Sequence, residues 1–394
     1  MASRENIKVA VIVADHGAYG RERVLFAQSS ASRDKDYGID FKYVCLHKGY
    51  LYQKLVASGT DVEVIGGTMP KAYPPNLIKL LGVFLSYLRT IIETFSRIRA
   101  YLKKASPDLV YTHDVTLHSI GALAAKSCRI KAVGHFHLQL NRTRNWGLSR
   151  ILLSWWLSVC LDTGIAISES VRDSLWGPLK GKTYIVFNGL DAEAIRRRGE
   201  QLAKRKDCAG ADVVSVGRLV PIKKQDVLIR AIDILAKRGV NLDVIFVGGP
   251  VEDSNPYYVK LKEQVEVLGL SERVRFGGYV EEPHGIVAKS SVSVLCCDTE
   301  GFGIAVLEAM ACKTPVIVAD AGGLSELVRH NENGLKFSPD DAEQLAEFLR
   351  TIITDKEKAR RLVEKAYTDV LEKFSMDSHM RQLRQQFSSI VNHS

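Results

Sequence analysis

The sequence lacks an apolar run long enough to cross a membrane. The longest, residues 151–161, spans 11 residues and lies between Arg150 and Asp162, whereas a membrane-spanning helix needs about 20. No secretory signal peptide is evident either, because the apolar stretch at residues 9–14 is too short and ends at Asp15. We therefore expect a cytoplasmic protein. Peripheral contact with the cytoplasmic face of a membrane stays open.

Cysteine is sparse and shows no pairing pattern. The seven cysteines are odd in number, and no Cys-x-x-Cys occurs among them. A disulfide framework and a cysteine-based zinc site are therefore disfavoured, and reduced thiols in a cytosolic protein are expected. The cysteines are at positions 45, 128, 160, 208, 296, 297 and 312.

Arginine-rich tracts, internal repeats and low-complexity segments are absent as well. The formal net charge of +9 is unevenly distributed, since residues 1–190 hold 25 lysines and arginines against 14 carboxylates. Such a basic half suits an anionic leaflet or a lipid pyrophosphate. A nucleic acid is a weaker candidate, because no recognition motif accompanies the charge. A solvated basic surface is the plain alternative.

Strand-like apolar segments alternate with helical ones along the chain. This alternation predicts parallel sheets covered by helices on both faces, and two sets of strands predict two Rossmann-like domains. The change falls near residues 187–191, so we expect domains over 1–190 and 191–375. The strand-like segments lie near 7–13, 40–46, 61–65, 108–112, 131–136, 162–168 and 183–187, and then near 212–216, 242–248, 273–277, 291–297, 315–319 and 334–337.

The most informative stretch is Glu300-Gly301-Phe302-Gly303, with Glu308 eight residues after Glu300. It joins a buried strand-like run to a helical segment, as a glycine loop does in a βαβ unit. The N-terminus of that helix offers backbone N–H groups and a positive dipole end to phosphate. Carboxylates repel phosphate but accept hydrogen bonds from hydroxyl groups. The stretch therefore predicts a site for a nucleotide sugar, in which phosphate lies between two polyhydroxyl groups.

On these residues the sequence resembles the retaining glycosyltransferases of family 4, which have the GT-B fold. That fold consists of two Rossmann-like domains whose parallel sheets face each other across a cleft. Glu300 and Glu308 match the family's Glu-x7-Glu signature, and Gly217-Arg218 with Lys223 resembles its pyrophosphate-binding segment. The resemblance is continuous from about 183 to 350. Other matching segments are 188–191, 246–250, 274–279, 321–323 and 333–335.

The resemblance implies a role for each matching residue. Arg218 and Lys223 would bind the diphosphate and stabilise the charge that develops on it as the sugar leaves, without a metal ion. Glu300 would accept hydrogen bonds from the donor sugar, and Glu308 from the ribose. The remaining donor-binding residues in the C-terminal half are Gly217, Gly248, Tyr279, Val280, Gly301, Phe302, Gly303, Ile304 and Ala305.

Two lysines depart from the family pattern. Lys224 and Lys313 stand where the family usually has glycine. Either side chain can simply point to solvent. Lys224 is close enough to Lys223 in the chain to alter how phosphate or acceptor is held.

The loop after the first strand carries Gly17 and Gly20. It resembles the family's first-domain glycine loop, which closes on the donor phosphates and the acceptor. An ordinary turn between a strand and a helix is the alternative.

His135 and His137 end a strand-like run and share one face, because strand side chains alternate. Family members often carry a histidine here that points at the sugar, and we favour His137. A buried structural role is the alternative. A His-x-His pair can also begin a metal site, but the sequence offers no evident third or fourth ligand, so we expect no metal. His113, which ends another strand-like run, is a further residue expected to line the cleft.

Two stretches suit an interfacial surface. Helical periodicity over 76–104 gathers apolar residues on one face, and Trp146, Trp155 and Trp156 lie near Arg150. A helix that covers the sheet, together with a well-packed core, is the alternative. By resemblance alone, the last helical segment, about 376–394, is expected to pack back on the N-terminal domain.

These observations predict a retaining, metal-independent hexosyltransferase of the EC 2.4 class. The co-substrate would be a UDP- or GDP-linked sugar, with no other cofactor and no nucleic-acid partner. The acceptor would be a lipid-linked glycan in surface polysaccharide synthesis, and a small molecule or sugar phosphate is the alternative. A nucleotide-sugar-binding protein without turnover is the alternative outside catalysis.

Overall fold

A computed structural model describes residues 6–15, 20–66, 77–140, 147–249 and 255–392. The chain divides into two units. Unit 1 comprises Met1–Gly189 together with Met376–Ser394, and unit 2 comprises Leu190–Ser375. Each unit is built around one parallel β-sheet.

Unit 1 alternates strands and helices, and its last helix comes from the end of the chain. Its strands are β1 (Ile7–Val13), β2 (Ile39–Cys45), β3 (Val62–Val64), β4 (Leu109–Thr112), β5 (Lys131–Phe136), β6 (Thr163–Ala166) and β7 (Thr183–Ile185). Its helices are α1 (Gly20–Asp34), α2 (Tyr50–Ala57), α3 (Leu77–Ala105), α4 (Val115–Ser127), α5 (Gly147–Cys160), α6 (Glu169–Asp173), α7 (Gly177–Gly181) and, after unit 2, α16 (Met376–Asn392).

The seven strands of unit 1 are parallel and lie in the order β3-β2-β1-β4-β5-β6-β7. The central strands are buried on both faces, and in β1 every residue except the exposed Lys8 is apolar and buried. Strand order reverses between β1 and β4, where the loops at the strand carboxyl ends diverge and ligands bind in open α/β sheets.

The C-terminal helix α16 is part of the unit 1 core. Its buried Met380, Leu383 and Phe387 pack in the same cluster as Val9 and Tyr111 of the sheet. The strong amphipathic pattern of α16 supplies this apolar stripe.

Unit 2 repeats the alternation with six strands. These are β8 (Val213–Val216), β9 (Val244–Val247), β10 (Val274–Phe276), β11 (Val292–Leu295), β12 (Val316–Ala319) and β13 (Leu335–Phe337). The helices are α8 (Ala192–Ala203), a 3-10 helix (Pro221–Lys223), α9 (Gln225–Lys237), α10 (Pro256–Val267), α11 (His284–Lys289), α12 (Ile304–Ala311), α13 (Leu324–Leu327), α14 (Ala342–Thr354) and α15 (Lys356–Lys373).

The sheet of unit 2 is also parallel, in the order β10-β9-β8-β11-β12-β13. Strand order reverses between β8 and β11, so the loops after these two strands border the expected ligand crevice. Several helices begin at side-chain caps. Asp341, for example, accepts a hydrogen bond from Gln344 N at 2.9 Å at the start of α14.

The structure confirms the predicted fold class of two Rossmann-like domains with parallel sheets. All thirteen predicted strand segments are strands, seven in unit 1 and six in unit 2. None of the described helices combines the length and the apolar content that a membrane crossing requires. All seven cysteines lie in the described part of the chain, and none forms a disulfide.

Candidate active site

The loops at the carboxyl edge of the unit 2 sheet are connected to one another. Backbone hydrogen bonds join Leu219 N to Gly249 O at 3.2 Å, Gly248 N to Gly278 O at 2.7 Å, and Gly323 N to Glu300 O at 2.8 Å. The first two bonds join the loops after β8, β9 and β10, and the third joins the loops after β11 and β12. The edge therefore consists of two bonded groups of loops. It contains most of the residues predicted to bind the donor.

Lys223 and Glu300 form an ion pair across the switch point of this sheet. Lys223 ends the 3-10 helix after β8, and Glu300 lies in the loop after β11. Both side chains are about one-fifth exposed, at 18% and 19%. Burial alone lowers the pKa of Lys223, but the Glu300 carboxylate outweighs it, so the pKa lies above its ordinary value. Lys223 is therefore a firmly charged cation at this edge.

Arg218 lies on the same edge, at the start of the segment that leads to Lys223. Its side chain is exposed, and its backbone carbonyl accepts a hydrogen bond from Gln225 Nε2 at 2.8 Å. Gln225 is itself buried, so this bond fixes the turn between β8 and α9. The two cations predicted to bind diphosphate thus come from one short, anchored segment.

Position 248 requires glycine because two loops approach each other closely there. A Cβ atom on Gly248 would lie 2.2 Å from the carbonyl oxygen of Gly217, and the φ angle of Gly248 is +134°. Only glycine tolerates both conditions. Gly217 and Gly248 therefore bring the ends of β8 and β9 into direct backbone contact.

The buried side chain of Phe302 anchors the loop before α12. This side chain is 1% exposed, and its ring meets that of Phe374 edge-on at 5.9 Å between centroids. The buried ring fixes Gly301 and Gly303 on either side of it. The first N–H groups of a helix have no acceptor within the helix, so the backbone of Ile304 is placed to meet an anion.

Glu308 lies one turn into α12 and is 7% exposed. One of its carboxylate oxygens lies 3.6 Å from Nε2 of His284, the first residue of α11. A buried carboxylate is a strong acceptor for hydroxyl donors. The low exposure agrees with the apolar neighbours of Glu308 in the sequence.

Tyr279 and Val280 follow β10 at the outer end of the same edge. Tyr279 is 59% exposed, whereas Val280 is half-buried. Nearby Glu282 is bound by both nitrogens of the Arg198 fork, at 3.0 and 2.6 Å. These loop residues are therefore accessible from solvent.

The two lysines that depart from the family pattern both occupy left-handed backbone positions. The φ angle is +50° at Lys224 and +57° at Lys313. Glycine adopts such angles without the steric cost that other residues incur. Lys224 pairs with Asp340 at 3.1 Å, and Lys313 with Glu364 at 3.3 Å. Lys224 also lies 3.8 Å from Asp298, in the loop that carries Glu300, whereas Lys313 pairs with a residue of α15.

Three histidines lie together at the carboxyl ends of β4 and β5 in unit 1. The register pairs Thr112 with Gly134, so His113 lies beside His135 on the face that also carries His137. Nδ1 of His113 lies 2.9 Å from Nε2 of His137. His113 and His135 are buried, and His137 is half-buried.

Burial sets the protonation of this cluster. It lowers the pKa of all three imidazoles well below the ordinary value, and the neighbouring rings lower the values further. Nδ1 of His135 lies 2.5 Å from the hydroxyl oxygen of Tyr111. At neutral pH the three rings are therefore uncharged and able to bind hydroxyl groups.

A buried charge network near the cluster was not predicted from the sequence. Arg21, in the first turn of α1, forms ion pairs with Glu22 and Asp114, and its Nη1 lies 3.4 Å from the carbonyl oxygen of His113. No motif identifies this network, because His113 and Asp114 lie 92 and 93 residues after Arg21 in the chain. It fixes the start of α1, at Gly20, to the end of β4.

Comparisons with known proteins agree with this architecture. The description "Glycosyltransferase Family 4" matches residues 49–194, and "Glycosyl transferases group 1" matches residues 201–369. The chain is a glycosyltransferase with the GT-B fold. An uncharacterised glycosyltransferase of Methanocaldococcus jannaschii is 26% identical to it over 362 residues, which cover 85% of this chain and 91% of that protein.

Two further relatives of this glycosyltransferase are informative. The D-inositol 3-phosphate glycosyltransferase of Nocardia farcinica is 34% identical over 197 residues, or 48% of this chain and 43% of that protein. The crystal structure of Anabaena HepE with UDP and glucose superposes with a TM-score of 0.79 at 23% identity, covering 98% of this chain and all of that one. The latter likeness establishes the shared fold.

Most of the predicted site residues of the glycosyltransferase lie at two sheet edges. Arg218, Lys223, Glu300 and the glycines of the unit 2 loops are at one edge, and the histidines of unit 1 are at the other. Gly17 lies outside the described residues, and Gly20 begins α1.

Proposed function

We propose that this glycosyltransferase is a retaining, metal-independent enzyme. It transfers a sugar from a UDP- or GDP-linked donor to an acceptor hydroxyl, and the acceptor is a lipid-linked glycan. The observation that supports this most is the Lys223–Glu300 contact at the start of α12. It brings a phosphate-binding cation and a hydroxyl-binding carboxylate to the switch point of one sheet.

The ion pair orients both partners for the donor. Lys223 and Glu300 contact each other while both side chains are partly buried, so each is held in place at the sheet edge. When the donor binds, its diphosphate contacts the ammonium group of Lys223 and a sugar hydroxyl donates a hydrogen bond to the carboxylate of Glu300. These two contacts replace the ion pair and orient the sugar and the phosphate together.

Arg218 and Lys223 supply the positive charge that the reaction needs. The bond between the anomeric carbon and the diphosphate oxygen breaks, and charge develops on the leaving phosphate. A guanidinium fork and an ammonium group fixed beside that oxygen stabilise the charge. These two cations make a divalent metal unnecessary for this step. HepE, the fold relative, was crystallised with UDP, which supports a uridine donor.

The retaining outcome rests on the resemblance to family 4. The acceptor hydroxyl attacks on the face from which the diphosphate departs, and the departing phosphate oxygen takes its proton. One carbon–oxygen bond forms as one breaks, so the products are a glycoside and a nucleoside diphosphate. His137 and His135 of unit 1, both neutral, are the proposed partners for carbohydrate hydroxyls, with His137 the more exposed.

An exposed apolar stripe on α5 supports a lipid-linked acceptor. Leu148, Leu152, Trp155 and Val159 recur at helical spacing and are 50–71% exposed. The helix belongs to the basic half of the chain. A stripe of this kind inserts at the boundary of an anionic leaflet. The name of the Nocardia relative favours the alternative, a small sugar-phosphate acceptor.

The catalytic proposal is tested by donor turnover in the presence of EDTA. Purified protein is incubated with a panel of UDP- and GDP-linked hexoses, and nucleotide release and the anomer first formed are followed by NMR. We expect release from one donor, with retained configuration and undiminished by EDTA. Binding without release from any donor would favour a nucleotide-sugar-binding protein. Activity abolished by EDTA and restored by Mg²⁺ would contradict metal independence.

The membrane proposal is tested separately by flotation with vesicles. Wild-type protein is expected to float with vesicles that contain anionic lipid and to stay at the bottom with neutral ones. Replacing both Leu152 and Trp155 with serine should abolish flotation, whereas Val267→Ser, at an exposed residue of unit 2, should not. Flotation that is independent of lipid charge or of the α5 changes would exclude this surface.

A further inference from the structure

The histidine cluster of unit 1 has the composition of a metal site. His113, His135 and His137 each offer one ring nitrogen, and these three atoms lie within 4.8 Å of one another. A tetrahedral zinc ion bound at 2.0–2.1 Å requires nitrogen separations of about 3.4 Å. Ring rotations that break the hydrogen bond between His113 and His137 close the difference, because that bond uses the lone pair of one of the two rings. The His-x-His pair thus acquires its third ligand from the neighbouring strand.

Hydrogen bonding within the cluster does not satisfy all of its nitrogens. His113 and His137 share one hydrogen bond through Nδ1 and Nε2, and His135 uses Nδ1 toward Tyr111. Within the described part of the chain, the buried Nε2 atoms of His113 and His135 have no hydrogen-bond partner. Buried polar atoms without partners are uncommon in folded proteins. Two unused nitrogens in one small cluster point to a ligand.

We propose that His113, His135 and His137 bind one divalent transition-metal ion of the zinc class. Imidazole suits such ions, and three protein ligands leave a fourth position for water or a hydroxyl group. The half-buried side chain of His137 places that open position toward solvent.

Tyr111 orients one of the three ligands. Its hydroxyl oxygen accepts a hydrogen bond from Nδ1–H of His135 when Nε2 carries the lone pair for the metal. Hydrogen bonds of this kind fix the tautomer and the ring orientation of metal-binding histidines. Arg21 donates a hydrogen bond to the carbonyl oxygen of His113, and its charge is balanced by the carboxylates of Glu22 and Asp114. The electrostatic surroundings therefore tolerate a cation.

The ion is a feature of unit 1 and is not required by the transfer step proposed above. Without the ion His135 and His137 bind a carbohydrate hydroxyl directly, and with the ion bound that hydroxyl occupies the fourth metal position. Arg218 and Lys223 of unit 2 carry the charge of the leaving diphosphate, so chelation removes the ion and leaves that step intact. Metal binding is measured without donor, which keeps this proposal separate from the proposed function.

The test is a titration of untagged, chelator-treated protein with Zn²⁺ and with Co²⁺. We expect one ion per chain, and an intense visible cobalt spectrum typical of tetrahedral coordination. His137→Ala and His113→Ala should each weaken binding by at least 100-fold. Tyr111→Phe should weaken it by about 10-fold or more, as for other hydrogen-bond partners of ligands. His330→Ala, in unit 2, should bind as wild type does.

The half-buried His137 makes the test robust, because its replacement leaves the buried core in place. Circular dichroism before titration verifies the fold of each variant. No saturable binding by the wild type would overturn the proposal, as would unchanged affinity in both His137→Ala and His113→Ala. A cobalt spectrum of weak octahedral type that persists in these variants would show adventitious binding and would also overturn it.

Discussion

At the scale of single residues, the sequence suggested candidate side chains but not the contacts between them. The spacing of Glu300 and Glu308, and the apolar neighbours of Glu308, indicated a carboxylate inside the site region. The ion pair between Lys223 and Glu300 was not predicted, because the two residues are 77 positions apart and meet only at the sheet edge. The closeness of His113 to the other two histidines was not predicted either, because it depends on the register of β4 and β5.

Glu308→Ala tests the role of the buried carboxylate. If Glu308 accepts hydrogen bonds from the ribose, its loss leaves those hydroxyls unpaired in a buried place and costs about 1–3 kcal/mol. We expect kcat/KM for the donor to fall by about 5- to 150-fold, measured by nucleotide release. Glu364→Ala, an exposed glutamate of the same unit, serves as the control. Unchanged donor kinetics in Glu308→Ala would refute the assignment.

At the scale of elements, alternation of apolar and polar segments was sufficient to locate the strands and most helices. Parallel strands buried on both faces leave a clear signal, since each is a short apolar run. The contacts between loops could not be predicted from the sequence. The glycine at position 323 resembles a family motif, but only the structure shows that its Cα faces the carbonyl of Gly301.

Gly323→Ala tests whether this loop contact positions the site. A Cβ atom at 323 would lie 2.4 Å from the carbonyl oxygen of Gly301, although the backbone angles at 323 allow alanine. The clash must displace the loop that carries Glu300. We expect donor turnover to fall at least tenfold, with the fold retained by circular dichroism.

The matched control for this change is Gly181→Ala. Nothing lies within 4 Å of a Cβ atom built at Gly181, so turnover should stay within twofold of wild type. Equal activity in the two variants would mean that the Gly301–Gly323 contact has no part in catalysis.

At the scale of the whole molecule, charge and histidine are both concentrated in unit 1. His118 and His379 are fully buried, and burial lowers the pKa of His118 to about 3 and of His379 to about 4. Nδ1–H of His379 donates to the carbonyl oxygen of Phe187 at 2.6 Å, which attaches α16 to unit 1. The folded unit thus keeps neutral rings that the unfolded chain protonates near pH 6.5.

This difference predicts that unit 1 is more acid-labile than unit 2. The stabilising contribution of the neutral histidines is complete above about pH 6.5 and is lost as the pH falls toward about 4. Each such group contributes a slope of about 1.4 kcal/mol per pH unit over that window. Calorimetric unfolding between pH 8 and pH 5 should show the transition of unit 1 falling much more than that of unit 2. A parallel fall of both transitions would contradict the expectation.

The central claim is that Lys223 binds the leaving diphosphate, and titration calorimetry with UDP and GDP tests it most directly. Wild-type protein should bind one of the two nucleotides in EDTA. Lys223→Met should weaken that binding by about 10- to 150-fold, the loss of a charge-assisted hydrogen bond. Lys237→Met, at an exposed lysine of unit 2, should bind as wild type does. Equal affinity in Lys223→Met and wild type would contradict the account.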